Sequence, residues 1–342
     1  MSARSESSEM PVAAPREPRD PREPRRLPGI GELSVHNRSL LINGGFVVAF
    51  IALVIVAAFT SDAFLTEGNL TNVLRQMNTT GLLALGMLVV ILTAGIDLSV
   101  GSVVALTGIM AAGLSAHMPV PVAMVLAVLV GGACGVGNGF FIARFKLAPF
   151  VVTLGALTTI RGLAYVYSST PITPLKIGFL SLGTNTIGPI PVSAIIMLAA
   201  FAVIWLFLTR TAAGRAIIAI GGNQEAVRLA GISVRRHLLL AYVISGLCAG
   251  LAGVILASRV GVAQPSVAVG FELNAIAACV IGGASLSGGR GTVVGTLGGV
   301  VLLALIDNLL TLYDVQSYWQ QVLKGLIIVF VVLARRTEQD TN

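Results

Sequence analysis

The chain has 342 residues, of which 55% are hydrophobic and only 11% are charged. Soluble domains carry roughly 25% charged residues, so this composition excludes an ordinary water-soluble fold. Lys and Arg together number 22, against 15 Asp and Glu, but the cations lie in an N-terminal tail and in a few connecting segments. The excess of positive charge therefore reflects membrane topology and does not indicate nucleic-acid binding.

The first 40 residues are polar and rich in proline and arginine. Prolines recur at every third position from Pro15 to Pro24, which is the period of polyproline II. The segment lacks the short apolar core of a signal peptide. We therefore expect residues 1–40 to form a disordered tail that stays in the cytoplasm.

From residue 41 onward the chain is a series of apolar segments, and a helix needs about 20 such residues to cross a bilayer. We predict an all-α fold, a polytopic bundle with a membrane domain over 41–335 and a cytoplasmic tail at 336–342. About ten spans are expected, with these approximate limits: 42–60, 79–96, 98–116, 120–143, 147–167, 190–209, 238–257, 271–287, 291–312 and 317–334. The junction at 96–98 is so short that a helix next to it is a candidate for a re-entrant or broken helix.

The distribution of cations predicts that both termini lie in the cytoplasm. That orientation places most cations of the connecting segments inside: Arg144, Lys146, Arg210, Arg215, Arg228, Arg235, Arg236, Arg290, Arg335 and Arg336. Only Arg75, Lys176 and Arg259 then fall outside. Arg161 lies within a span, so we expect it to face protein or water rather than lipid.

Two predicted spans carry glycines at helical spacing, namely Gly131, Gly135 and Gly139 in one and Gly291, Gly295 and Gly299 in the other. Stripes of small residues allow helices to approach closely, and we favour packing within the chain over a dedicated dimer face. The segments 98–101 (LSVG) and 286–289 (LSGG) are similar. An internal duplication and a chance similarity are both open for them.

Several polar residues lie at membrane depth, where an unpaired polar group is costly: Asp97, Asn138, Glu272, Asn274, Asp307 and Asn308. For Asp97 we favour a helix cap over direct contact with a solute. Glu272 can lie at the outer headgroup level, while Asp307 and Asn308 can bond across helices. A pathway role and a packing role are equally open for Asn274 and Asn308. The tentative pathway residues are Asp97, Asn138, Asn274 and Asn308.

The connection after the span at 190–209 contains a segment with its own helix punctuation, GGNQEAVRLAG at 221–231. Asn223 can cap a helix, Glu225 complements the positive end of its dipole, and Gly231 can adopt the left-handed conformation that ends it. A helix of about two turns is unstable alone, so it lies against lipid or its own loops, or inserts into a cleft on a cytoplasmic motor. The apolar side chains that it would present are those of Ala226, Val227, Leu229 and Ala230.

The reactive residue types form no recognisable site. Cys134, Cys248 and Cys279 lie in apolar runs without C-x-x-C spacing, so packing is their expected role. The three histidines have no metal-ligand spacing, and we expect neither a metal nor a cofactor on this chain. No lysine at 146, 176 or 324 is followed by Ser or Thr, so the chain lacks a P-loop.

The sequence resembles the permease subunits of ribose-type ABC sugar importers, a bacterial family that also serves galactose and xylose. The similarity begins at about residue 60 and runs to the C-terminus. It is carried by LTAGIDLSVGS at 92–102, GR at 214–215, GGNQEA at 221–226, LAGI at 229–232, AQP at 263–265, ELNAIAA at 272–278 and IGGASLSGGRG at 281–291. The proline- and arginine-rich tail has no counterpart in the family pattern.

The resemblance implies a multi-pass protein of the bacterial inner membrane that works as a homodimer, although pairing with a paralogue is also open. It implies an ABC ATP-binding subunit that carries ATP and Mg, and an extracytoplasmic sugar-binding protein. The chain would be a transport subunit without its own ATPase site. The residues expected to couple it to the ATPase are Gly222, Asn223, Glu225, Ala226, Val227, Leu229 and Gly231.

Three other classes are weighed against this interpretation. An ion-coupled secondary transporter would use Asp97, Glu272 or Asp307 to bind a proton or sodium, but it gives no reason for the capped cytoplasmic helix. An intramembrane enzyme needs a reactive constellation such as H-E-x-x-H, which is missing. A related importer of amino acids would have a similar architecture, and the stretch around Asp97 favours the sugar branch by resemblance alone.

Overall fold

The structure is a computed structural model that describes residues 51, 54–174 and 176–326. The predicted tails at 1–40 and 336–342 lie outside the described residues, as do parts of the first and last predicted spans. Most of the described part is helical, and its two strands have only two residues each, so the all-α prediction is confirmed at that level.

Eleven complete helices follow one another in the described residues: α1 (Glu67–Ile91), α2 (Val100–His117), α3 (Val120–Phe145), α4 (Pro149–Tyr167), α5 (Ile177–Thr184), α6 (Val192–Arg210), α7 (Ala212–Gly222), α8 (Gln224–Leu229), α9 (Val234–Val260), α10 (Phe271–Ile281) and α11 (Val293–Leu312). Residues 54–60 and 317–326 are also helical. Strands β1 (Thr186–Ile187) and β2 (Ile190–Pro191) form an antiparallel hairpin between α5 and α6.

Seven of these helices, namely α1, α2, α3, α4, α6, α9 and α11, are long and apolar enough to cross a membrane. Helix α10 is not, because its 11 residues span about 17 Å and a bilayer core needs ~30 Å. The predicted span at 271–287 is therefore longer than the helix found there. Helix α1 differs in the opposite sense, since it begins at Glu67 and not near residue 79.

Threonine caps set the start of three helices. The hydroxyl oxygens of Thr66, Thr211 and Thr292 accept hydrogen bonds from the backbone N–H groups three residues later, at 3.3, 3.0 and 3.0 Å. Each bond satisfies one of the N–H groups that a helix start leaves without a partner. These caps fix where α1, α7 and α11 begin.

Helices α1 and α10 end with the same local geometry. Ala94 has φ 61° and Gly283 has φ 97°, and the next residue in each case donates a long backbone bond, from Gly95 to Val90 O and from Ala284 to Cys279 O, at 3.2 and 2.9 Å. This is the left-handed helix end of a Schellman motif. If the two helix ends are aligned, Ala94 corresponds to Gly283. In that alignment the similar segments 98–101 and 286–289 are displaced from each other by one residue.

Helix α9 lies at the centre of the described bundle and packs on α1, α2 and α3. The glycine stripe of α3 makes the closest of these approaches. A Cβ atom on Gly135 would collide with the Tyr242 carbonyl, and one on Gly131 would lie 2.8 Å from Cα of Gly250. In the second stripe Gly291 lies before the start of α11, but Gly299 packs in the same way as the first stripe, because a Cβ on it would lie 3.0 Å from the Ala278 carbonyl carbon of α10. The prediction of packing within the chain is confirmed.

Helix α4 has the opposite character. Only Thr153, Ile160 and Ala164 of its 19 residues are buried, and most of its apolar side chains are exposed. An exposed apolar surface of this kind suits contact with lipid acyl chains. Arg161 breaks the pattern, since its Nη1 donates to the carbonyl oxygens of Pro265 and Val267 at 2.7 and 2.6 Å. The prediction that Arg161 faces protein rather than lipid is confirmed.

Candidate functional site

Helix α8 begins and ends with the capping residues that the sequence predicted for it. The Asn223 side-chain oxygen accepts a hydrogen bond from the Ala226 N–H at 2.9 Å. Glu225 lies in the first turn and forms an ion pair with Arg228, and Gly231 has φ 77°. The capped helix at 221–231 is therefore confirmed as a local structure, although its helical part is only six residues long.

The side chains of α8 divide into two sets. Val227 is 7% exposed and packs against Ile220, Val234 and Leu238 of this chain. The prediction that Val227 is presented to a partner is wrong, because that side chain is what fixes α8 to α7 and α9. Leu229 is 79% exposed, and Glu225 is exposed beside it.

The last turn of α7, just before α8, lies in direct contact with backbone atoms of Leu92 and Gly289. A Cβ atom on Gly221 would collide with the Leu92 carbonyl oxygen and with the Gly289 nitrogen. The Gly289 N–H itself donates to Leu92 O at 3.1 Å. Gly288 lies against Ala94, where an added Cβ would be 2.8 Å from the Ala94 nitrogen. We call these five residues, Leu92, Ala94, Gly221, Gly288 and Gly289, the glycine junction.

The glycine junction joins three segments that are far apart in the sequence. They are the end of α1, the end of α7, and the loop between α10 and α11. The contacts run from backbone to backbone, without intervening side chains that could change rotamer. A displacement of α7 and α8 would therefore act on the other two segments at once.

Asp97 lies just beyond this junction, in the interruption between α1 and α2. Its carboxylate accepts hydrogen bonds from the Ser99 N–H (3.1 Å), the Ser99 hydroxyl (2.6 Å) and the Ser245 hydroxyl of α9 (2.8 Å). Asn138 of α3 donates to the Ser99 hydroxyl oxygen at 2.8 Å. Asp97 is 1% exposed, so in this conformation it does not meet a solute.

This network also revises the predicted cap. Helix α2 starts at Val100 rather than Leu98, and its N-cap residue is Ser99, whose side chain makes no capping bond. Asp97 instead bonds the turn that leads into α2 and ties that turn to α9. In this structure Asp97 therefore links three elements, the turn before α2, α9 and, through Ser99, α3.

The two remaining tentative pathway residues, Asn308 and Asn274, lie in different surroundings. Asn308 is buried and exchanges two amide hydrogen bonds with Asn69 of α1, at 3.0 and 2.7 Å. Asn274 lines a cavity of ≈ 490 Å³ together with residues of α1, α5 and α11. The cavity also contains Arg75, Arg259 and the ion pair of Asp307 with Lys324.

Sequence reasoning did not bring the cavity residues together. Asn72, Arg75 and Gln76 lie three and four positions apart, which places them on one face of α1. A polar face on a helix that is otherwise buried and apolar is the signal that would have found this cavity. Helices α1 and α10 both contribute residues of their first turns to the cavity. Helix α1 ends at the glycine junction, and α10 is followed by the loop that contains Gly288 and Gly289.

Comparison with known proteins assigns this architecture. A family model described as the permease component of the branched-chain amino acid transport system matches residues 69–332. The chain belongs to this permease family. The match covers every helix from α2 to α11 and nearly all of α1.

The permease is also similar to curated sugar permeases. It is 45% identical over 297 residues to the ribose import permease protein RbsC of Bacillus subtilis, covering 86% of this chain and 92% of the relative. It is 40% identical over 293 residues to the D-allose transport system permease protein AlsC of Escherichia coli, with coverage of 84% and 90%. For the galactose/methyl galactoside import permease protein MglC of Escherichia coli, the identity is 36% over 310 residues, with coverage of 84% and 92%. No solved structure matched the chain.

These matches confirm the resemblance to ribose-type ABC sugar importer permeases. They also agree with a multi-pass membrane protein, as the seven long apolar helices require.

Proposed function

We propose that this permease imports a monosaccharide, a ribose-like pentose or a hexose, and that a partner subunit hydrolyses the ATP that drives import. The relatives that share 36% to 45% of its residues are named for ribose, allose and galactose, which supports a sugar as the substrate. The observation that carries the mechanism is the capped helix α8, which displays exposed side chains at one end of the molecule and is joined to the glycine junction.

The proposed topology has both termini in the cytoplasm and about ten helical segments, with α10 as a half-length one. Two internal relationships support it. Arg75, Thr184 and Arg259, which it places outside, lie together: Arg75 donates to Thr184 O and Arg259 donates to Arg75 O, both at 2.9 Å. The glycine junction and α8 lie at the opposite ends of α1 and α9, which this topology places inside.

The proposed assembly contains two copies of the permease, two ABC ATP-binding subunits that hold ATP and Mg, and an extracytoplasmic sugar-binding protein. This chain itself holds no cofactor. ATP binding draws the partner subunits together and displaces α8. The displacement passes through the glycine junction to α1 and α10, whose outer ends line the cavity. The cavity then opens to accept sugar from the docked binding protein.

Co-purification tests this proposal. The permease is co-expressed with a candidate ABC ATP-binding subunit from the same genome and purified in detergent. We expect the double variant Glu225→Arg/Leu229→Asp to lose that subunit, because both side chains are exposed on α8. Val227 is left unchanged, since a charge there would disrupt its packing against Ile220 and Val234.

The matched control is Glu67→Arg, the same charge reversal at an exposed residue at the far end of α1. It should retain the subunit. If the α8 double variant also retains the subunit, the coupling assignment is wrong. Uptake in vesicles separates the rival class, because an ion-coupled transporter stops working with a proton ionophore, whereas an ABC importer stops when ATP is depleted.

A further inference from the structure

Four exposed cations lie where α3 ends and α9 begins. They are Arg144 and Lys146 at the end of α3, and Arg235 and Arg236 in the first turn of α9. None of the four forms an ion pair with another residue that the structure describes. We call these four residues the basic patch.

The packing of α3 on α9 brings both halves of the basic patch to the same depth. The two helices are antiparallel, since their close contacts run in opposite order along the chain, and a Cβ atom on Gly139 would lie 2.9 Å from Cα of Leu239. At a rise of 1.5 Å per residue, Arg144 lies about 7.5 Å beyond Gly139 and Arg235 lies about 6 Å beyond Leu239, in the same direction. The four cations therefore share one end of the helix pair.

The sequence places no carboxylate beside the basic patch. The segments 139–150 and 232–243 contain neither Asp nor Glu. The acidic residue that precedes α9 in the chain, Glu225, is already paired with Arg228 of its own helix. Cations that are held together without a counter-charge produce a positive potential, and such a surface attracts anions.

An exposed apolar surface adjoins the basic patch. The rings of Phe140, Phe141 and Phe145 pack together with centroids 5.7 to 5.9 Å apart, and about half of each residue is exposed. The Arg144 guanidinium lies 5.9 Å from the centroid of the Phe145 ring, a cation–π contact that holds the charge beside the rings. Cations at a helix end next to exposed apolar rings match the two parts of a phospholipid, an anionic headgroup and an acyl chain.

Lys146 occupies a backbone position that does not favour lysine. It ends α3 with φ 55° and ψ 33°, a left-handed conformation in which Gly and Asn are the usual residues. The local backbone therefore gives no reason for a lysine here, whereas an anionic ligand does. The position also allows a mild substitution, because Asn removes the charge and suits the conformation.

We propose that the basic patch binds the headgroup of one anionic phospholipid, whose acyl chain lies on the three phenylalanine rings. The exposed rings beside the cations favour a membrane lipid over a free anion, which has no apolar part. The proposed topology places this lipid in the cytoplasmic leaflet. The inference does not depend on which solute the permease moves.

The test measures lipid binding to the full-length permease, purified and delipidated in a neutral detergent. The protein is titrated with phosphatidylglycerol or with phosphatidylcholine of the same acyl chains, which carries no net charge. Native mass spectrometry gives the dissociation constant of the first bound lipid. The readout is the ratio of the two constants, since a variant that is partly misfolded would lose both lipids together.

Two double variants each remove half of the basic patch: Arg144→Gln/Lys146→Asn and Arg235→Gln/Arg236→Gln. The matched control is Arg210→Gln/Arg215→Gln, which removes two exposed cations of α6 and α7. Each cation beside an anionic headgroup contributes about fivefold to the affinity, so we expect the preference for phosphatidylglycerol to fall about twenty-fivefold in each patch variant. The control should keep the preference of the unaltered protein.

Three results would overturn the lipid site. The unaltered protein could bind both lipids equally, or the patch variants could keep its preference. An equal fall in the control would show that the lipid responds to total charge and not to this surface. Co-purification of the patch variants with the ATP-binding subunit covers the other partner class, because loss of that subunit with an unchanged lipid preference would assign the basic patch to a protein partner instead.

Discussion

Gly221, at the last turn of α7, lies directly on the carbonyl oxygen of Leu92 at the end of α1. Only a residue without a Cβ fits there, because that atom would collide with Leu92 O and with the nitrogen of Gly289. The contact places the hairpin of α7 and α8 against the end of α1 and against the loop between α10 and α11. A movement of α7 would therefore reach the end of α1 and the loop after α10 through contacts between backbone atoms.

We predict that Gly221→Ala lowers transport without releasing the ATP-binding subunit. The added methyl group must push two backbone segments apart, and overpacking of this kind costs about 1–3 kcal/mol, which corresponds to a loss of roughly five- to a hundredfold if it falls on one transport state. Co-purification measures whether the ATP-binding subunit is retained. Transport is measured as the uptake of D-ribose into proteoliposomes.

The control for this variant is Gly155→Ala on the exposed face of α4, where an added Cβ meets nothing within 4 Å. It should transport like the unaltered protein. Normal uptake by Gly221→Ala would show that the glycine junction does not transmit the movement. Loss of the ATP-binding subunit would show that Gly221 shapes the docking surface instead.

Asp97 provides the second prediction, which concerns stability. Asp97→Ala leaves the N–H and hydroxyl of Ser99 and the hydroxyl of Ser245 without their acceptor, and we expect it to lower the free energy of unfolding by about 2–3 kcal/mol. Asp97→Asn should cost less, because its amide can donate to Ser245 while its oxygen still accepts from Ser99. Unfolding in a denaturing detergent, followed by circular dichroism, measures both.

The outcome also decides whether Asp97 contacts the solute. A structural role predicts that Asp97→Asn keeps much of its uptake activity, in proportion to the stability that it retains. A variant with the stability of the unaltered protein but without uptake would contradict the network as the main role of Asp97.

The features that the sequence predicted well are set by neighbouring residues. The Asn223 cap, the left-handed Gly231 and the close approach of Gly135 each follow from a residue type at one position or from helical spacing. The expectation that a helix next to the junction at 96–98 is re-entrant or broken was wrong, because α1 and α2 are both long enough to cross a membrane and the non-helical segment between them is longer than predicted.

The features that sequence analysis missed are of two kinds. Some depend on contacts between residues far apart in the chain, and others are helix boundaries that do not coincide with the ends of apolar segments. The glycine junction joins Leu92, Gly221 and Gly289, and no local pattern relates three positions so far apart. Helix α10 stops at Ile281 because Gly283 takes a left-handed conformation within a continuing apolar segment. Helix α1 begins twelve residues before its predicted start (79 − 67 = 12), since its polar face towards the cavity lowers the hydropathy of its first turns.

Arg161 provides the third prediction, because it ties α4 to the loop between α9 and α10. Arg161→Met keeps much of the side-chain volume but removes the bonds to the carbonyl oxygens of Pro265 and Val267. We expect amide hydrogen exchange in residues 261–270 to quicken by about tenfold, as the loss of ~1.4 kcal/mol of local stability predicts. Arg144→Met, at an exposed position on α3, should leave that loop unchanged. Unaltered exchange in Arg161→Met would mean that other contacts hold the loop.

The paired amides of Asn69 and Asn308 provide the last prediction. Each side chain donates to the other, at 3.0 and 2.7 Å, so the two residues should behave as one unit that joins α1 to α11. Hydrogen bonds between membrane helices average about 0.6 kcal/mol and reach ~1.7 kcal/mol, and a reciprocal pair should lie towards the upper value. A double-mutant cycle with Asn69→Ala and Asn308→Ala measures this coupling from unfolding free energies.

The control cycle combines Asn69→Ala with Thr209→Ala, whose hydroxyl bonds only within α6, and it should be additive within about 0.5 kcal/mol. A coupling near zero between Asn69 and Asn308, together with lost uptake in Asn308→Ala, would instead place Asn308 in the pathway of the solute.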